Sequence, residues 1–195
     1  MSLDIIYDDM LRVAQTFGKT SRDMVFGEGP SGAPLMLVGE APGAEETRQS
    51  RPFVGRAGKN LDEFLAAVQL NRADIYITNV VKFRPSKTSA KGTLSNRPPD
   101  RNEIACMKPL LLREIEATQP RIVVTLGNVP LKCLLGISST IGTHHAKPTA
   151  AGALSHRFML FPLYHPASII YNPALKTVYV QDLVRLRQFL DTLHI

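Results

Sequence analysis

An α/β fold, a three-layer αβα sandwich around a central four-stranded parallel sheet, is predicted by three observations. Short unbroken apolar runs recur along the chain, longer stretches with helical spacing alternate with them, and glycine or proline stands at many of the junctions. Apolar runs without polar alternation suit strands covered on both faces, and their alternation with helices suits a parallel sheet.

The elements follow in order. Leu3 to Phe17 carries Ile6, Met10, Val13 and Phe17 at helical spacing and stops at Gly18. After the Gly/Pro-rich turn 27–34, Leu35 to Val38 reads as the first buried strand, ending in Gly39. Leu61, Phe64, Leu65 and Val68 mark a helix, Ile75 to Val81 a second strand, and Glu103 to Ala117 another helix. Ile122 to Leu126 is the third strand, Val129 to Leu135 a short helix, Phe158 to Leu163 the fourth strand, and Leu175 to Leu193 a last helix with a basic face. Ser86 to Pro99 is expected to be a long exposed loop, and Gly136 to His156 is only weakly patterned. With no repeat and no linker, residues 1–195 are expected to form one domain.

Composition narrows the class. Apolar residues make up 44% and charged residues 21%, the usage of a globular protein and not of a disordered or fibrous one. An excess of 23 Lys and Arg over 17 Asp and Glu favours a polyanionic partner. Two cysteines, Cys106 and Cys133, make no disulfide framework, and Asp4, Asp8 and Asp9 interrupt any secretory pattern at the start, so a cytoplasmic location is expected. The longest apolar runs are strand-sized, well short of the ~20 residues a bilayer span requires, so no membrane partner is expected.

In such a sheet ligands bind beyond the carboxyl ends of the strands. There the chain places Gly39-Glu40-Ala41-Pro42-Gly43 with Glu45 and Glu46, then Thr78-Asn79-Val80-Val81-Lys82, and Tyr164-His165-Pro166 followed by Ser168-Ile169-Ile170. Small residues let backbone amides approach a ligand, a carboxylate can orient water, and the Asn amide offers both a donor and an acceptor. Arg51-Pro52-Phe53-Val54-Gly55-Arg56-Ala57-Gly58 sets an aromatic ring in a rigid loop. Each piece alone has an ordinary explanation: a solvated acidic turn, a tucked loop Phe, a turn Asn, a structural His. A dinucleotide-binding Gly-x-Gly-x-x-Gly pattern is absent.

Together, these motifs and Val124-Thr125-Leu126-Gly127 resemble the uracil-DNA glycosylase superfamily over about Val25 to Leu193, above all its family four, the iron–sulfur type. The resemblance implies a base-excision repair enzyme that flips uracil out of DNA and hydrolyses its N-glycosidic bond. It makes Phe53 the ring that stacks on uracil and Asn79 the amide that reads its Watson–Crick edge. His165 stabilises the departing uracil anion at O2, and Glu40, with the backbone of Gly39 and Ala41, lines the place where water attacks. Glu46, with Gly43 nearby, is implied to block the methyl group of thymine, and Ile169 to wedge into the duplex.

The pattern departs from family four at the cluster. Of its four cysteine ligands only Cys106 has a counterpart, and Phe83 stands where the third is expected. One thiolate cannot hold a cluster that takes about four ligands, so neither cofactor nor metal is expected. Ala41 also replaces the Asp of the superfamily's most active branch. The expected partner is uracil-containing DNA and the expected state a monomer. The alternative is a degenerate relative that binds DNA or a nucleobase without cleaving it.

Overall fold

The computed structural model describes residues 2–195, except for the side chains of Ile170 and Tyr171. Helix α1 (Leu3–Gln15) turns Ile6, Met10 and Ala14 inward. Strand β1 (Leu35–Gly39) follows, buried along its whole length. A short helix α2 (Ala44–Gln49) precedes α3 (Arg56–Ala67), which buries Leu61, Phe64 and Leu65. Strand β2 (Tyr76–Asn79) is shorter than the sequence suggested, and the presumed loop after it holds a small hairpin of β3 (Ser86–Thr88) and β4 (Leu94–Asn96). Helix α4 (Arg101–Thr118) begins with a capping box: Asp100 accepts from the amides of Asn102 and Glu103 at 2.9 and 2.8 Å, and Glu103 accepts from Asp100 N at 2.8 Å.

Strand β5 (Ile122–Leu126) is again fully buried, and α5 (Asn128–Leu135) and α6 (Ile141–His144) are short helices. Strands β6 (Thr149–Ala153) and β7 (His156–Leu163) form a hairpin; α7 (Ser168–Tyr171) and α8 (Leu175–Thr192) complete the chain. The main sheet has the order β2-β1-β5-β7-β6. Its first four strands are the expected parallel ones, joined by Leu37↔Ile77, Leu37↔Val124 and Val124↔Phe161. The expectation of four strands needs one addition: β6 pairs antiparallel with β7 at the edge. Its Thr-Ala-Ala-Gly-Ala sequence has neither the bulk nor the branching that marks a strand.

Alternate residues of each central strand feed two cores. Met36, Val38, Val123 and Leu160 meet α1, α4 and α5 on one face. Leu35, Leu37, Val124 and Phe161 meet α3 and α8 on the other. This is the three-layer αβα sandwich. Among the described residues no helix is long and apolar enough to cross a membrane.

A charged pair lies inside the first core. Lys82 and Glu114 are both fully buried, with Nζ 2.6 Å from Oε2. Lys82 Nζ also donates to Thr78 Oγ1 and to the carbonyl oxygen of Asn79, each at 2.5 Å. Glu114 Oε1 accepts from Tyr76 OH at 2.9 Å and from Thr78 Oγ1 at 3.1 Å. Burial pushes the Lys82 pKa down, and the Glu114 carboxylate opposes that shift. Removing one partner strands a charge in the core, a loss of about 3–5 kcal/mol. Lys82→Met is therefore expected to lower unfolding stability in urea by that amount. Lys82→Met/Glu114→Gln should lose clearly less than the sum of the single variants, since the second change removes the stranded charge.

Candidate functional site

The chain runs from β1 outward to β2 and then returns to β5 on the other side of β1, so the order of the strands switches direction beside β1. A crevice beyond the strand ends belongs at such a point. A cavity of about 630 Å³ is found there, lined by Glu40, Ala41, Gly43 and Glu46 after β1, by Phe53, by Asn79 at the end of β2, and by His165 after β7. Seven of the nine residues singled out in the sequence thus share one cavity. Gly39 lies directly beneath it, and Ile169 is the one set apart. Ile169 sits on α7, half-buried and packed against the core of α3 and α8.

Glycine at position 39 is required by close approach. A β-carbon there would stand 2.4 Å from Asn79 Oδ1 and 2.5 Å from Phe53 Cζ. The register Gly39↔Asn79 brings the amide beside the β1 turn, and Val80 N donates to Gly39 O at 2.9 Å to extend the ladder. Asn79 is 2% exposed, yet its side-chain amide has no hydrogen-bond partner among the described residues. A buried amide that faces a cavity with both its donor and its acceptor free is built to receive a ligand.

Phe53 has φ +53°, a left-handed conformation rare outside glycine. Several contacts hold it there. Arg72 donates to the carbonyl of Phe53 at 3.0 Å and also to that of Pro52. Gly58 leaves room for the same carbonyl, since a β-carbon there would lie 2.0 Å from it. Glu46 Oε1 accepts from Val54 N at 3.1 Å and Gly55 N at 2.7 Å, and Glu46 Oε2 accepts from Gly43 N at 3.1 Å. One carboxylate thereby ties the β1 turn to the Phe53 loop. The Phe53 ring lies 6.0 Å from the His165 ring, 26° from parallel.

His165 Nδ1 accepts from Ala167 N at 3.1 Å, which places the proton of the neutral imidazole on Nε2. Burial holds its pKa down at about 4, so the ring is neutral near pH 7. Gly127, next to it, adopts φ +92°, a left-handed conformation that favours glycine. The Glu40 carboxylate has no hydrogen-bond partner among the described residues, and burial raises its pKa.

A four-thiolate cluster does not fit this chain. Phe83 is fully buried, its ring 5.6 Å from that of Phe17, with Lys19 Nζ 5.6 Å from its centroid. Cys106 Sγ instead lies 3.7 Å from Asn102 Oδ1. Cys133 is buried on α5, where burial pushes its thiol pKa up to about 11. Among the described residues no group of three His, Cys, Asp or Glu side chains is placed to hold a metal.

The supporting roles of Arg72, Lys82 and Glu114 were missed in the sequence, although Lys82 closes the Asn79 motif, because the Phe53 carbonyl that Arg72 holds lies 19 positions away and Lys82 and Glu114 stand 32 apart, so no local spacing announces these pairs. Asn96 and Arg97, which also line the cavity, were hidden within the presumed loop.

Comparison with known proteins agrees with the geometry. The chain is 34% identical to a type-4 uracil-DNA glycosylase of Saccharolobus solfataricus, over 98% of its own length and 88% of the relative's. It is 35% identical to the type-4 enzyme of Archaeoglobus fulgidus, over 84% and 80%. Among solved structures, Pedobacter heparinus SMUG2 shares the fold at a TM-score of 0.58 and 15% identity, over 82% of this chain and 76% of that one. Residues 26–185 match the family model of the uracil DNA glycosylase superfamily, and with its motifs lining one cavity at the switch of strand order the chain belongs to that superfamily.

Proposed function

We propose that the protein excises uracil from DNA by hydrolysing the N-glycosidic bond of a flipped-out deoxyuridine, leaving an abasic site. The observation that carries this reading is the convergence of the Phe53 ring, the unpartnered Asn79 amide and the neutral His165 imidazole on one cavity.

The flipped base stacks on Phe53. Asn79 accepts from uracil N3–H through Oδ1 and donates to O4 through Nδ2. Cytosine presents the opposite pattern and leaves buried polar atoms unpaired, at about 1–3 kcal/mol each. Glu46, immobilised by three backbone amides, is the fixed wall that on this reading stands against the thymine methyl group.

As the C1′–N1 bond breaks, its electron pair moves into the base and positive charge develops on the sugar. His165 Nε2–H donates to uracil O2 and stabilises the departing anion. A neutral donor keeps its proton, so the base leaves as the anion. Glu40 supplies negative charge near the sugar cation and orients the attacking water. Ala41 has no group to take part. Ile169, on the α7 turn two residues beyond Ala167 of the cavity lining, is the side chain assigned to the duplex.

An oligonucleotide with a single uracil, treated with alkali after incubation, tests the reading; an intact strand at high enzyme concentration refutes it. His165→Ala and Asn79→Ala should each lower kcat about 10²–10³-fold, the usual loss for a preorganised donor. The pH profile follows from the two shifted groups. Since the His165 pKa lies at about 4, the rate should show no step at the ordinary histidine value near 6.5. The raised Glu40 pKa should produce an acid limb above the ordinary glutamate range, and Glu40→Gln should abolish that limb. Arg72→Ala, which releases the Phe53 carbonyl, should raise the inhibition constant for free uracil about tenfold at a temperature well below melting.

A further inference from the structure

We infer that the β3–β4 hairpin is a second DNA-binding arm, which grips backbone phosphates beside the nucleotide held in the cavity. The inference rests on the reading that the substrate base lies within DNA.

The arm is anchored in the wall of the site. Pro85, Asn96 and Arg97, at its base, line the same cavity as Asn79 and His165. Arg84 Nε donates to Asn96 Oδ1 at 2.6 Å, and Arg97 N donates to Pro85 O at 3.1 Å. Arg97 is fixed by a two-pronged pair with Glu103, both contacts at 2.7 Å. A β-carbon on Gly43 would come within 3.3 Å of Asn96 Nδ2, so the base of the arm also abuts the β1 turn.

From that base the hairpin projects into solvent. It pairs Ser86↔Asn96, Lys87↔Ser95 and Thr88↔Leu94, and neither strand joins the main sheet. Its turn closes through Ser89 N to Thr93 O and Gly92 N to Ser89 O, both at 2.9 Å, with Gly92 at φ +78°. Three strand residues at about 3.3 Å each carry the tip about 10 Å beyond the cavity wall. That length spans about three phosphates of one strand, at about 3.4 Å of helix axis apiece.

The charge is of one sign. Residues 83–99 contain no Asp or Glu. Among the described residues neither Lys87 nor Lys91 has a carboxylate partner, and both are exposed. Leu94 is 52% exposed and shares the face of the pleat that holds Asn96, toward the cavity. An exposed two-stranded ribbon has little stability of its own and no core to serve. Lys87, paired with Ser95 on the opposite face of the ribbon, and Lys91 in the turn at its tip carry this charge outward from the cavity rim, where the phosphates on either side of a flipped nucleotide are its ready counterpart.

Fluorescence anisotropy with a uracil-containing duplex across a potassium chloride series tests this. Lys87→Ala/Lys91→Ala should bind about tenfold or more weakly at low salt, with the slope of log affinity against log salt shallower by about two. Arg121→Ala removes an equal kind of charge at the opposite end of β5 and should match the parent protein. Melting curves verify that the double variant is folded. Parent-like affinity and slope in that variant overturn the assignment, whether or not uracil is excised. A shallower slope in a protein whose parent releases no uracil supports the arm and refutes the glycosylase reading alone.

Discussion

Behind Asn79 an ammonium group without access to solvent donates to a hydroxyl, to a carboxylate and to the backbone carbonyl of Asn79 itself. The position of the Asn79 amide depends on that group. Strand β2 lies at the edge of the sheet, paired along its length with β1 on one side and held on the other by the two backbone hydrogen bonds of the Glu28–Ile77 bridge. The Lys82–Glu114 pair supplies a further restraint, tying its end to α4 across the core. A chain of hydroxyls from Thr78 and Tyr76 to Tyr7 on α1 extends the same network, with the two tyrosine oxygens 2.5 Å apart. Buried polar groups satisfied this fully fix one arrangement, because each alternative leaves a charge unpaired.

The other wall of the cavity is fixed by strain. Phe53 occupies a backbone conformation that a bulky residue adopts only under restraint, and three groups from separate elements supply it: the Arg72 guanidinium, the Glu46 carboxylate and the space at Gly58. The ring is therefore in place before any ligand arrives. Preorganisation matters for a reaction in which the protein supplies a flat surface, two hydrogen-bonding edges and one anion stabiliser.

The four parallel strands were legible because burial on both faces leaves a plain signature, an apolar run without alternation. Strand β6 was not, because it lies at the edge and its alanines and glycine pack against a neighbour through backbone hydrogen bonds. The cavity lining was legible where an unusual polar residue stands beyond a strand end: Glu40, Asn79, His165. It was illegible where one side chain serves another. Glu114 looks like any charge on an amphipathic helix until the fold sets it against Lys82, and Arg72 like any surface cation until the loop of Phe53 folds over it. Glu46 was found through family resemblance, and the geometry adds that its carboxylate joins two loops.

Phe83 fills with a phenyl ring, packed on Phe17, a place where the resemblance to family four implies a cluster ligand. Apolar burial and coordinate bonds respond differently to heat. The first is entropic near room temperature and fades on cooling, whereas a cross-link of metal and thiolate is enthalpic and holds in the cold. The contribution of the Phe17–Phe83 contact to holding this corner is therefore expected to weaken on cooling.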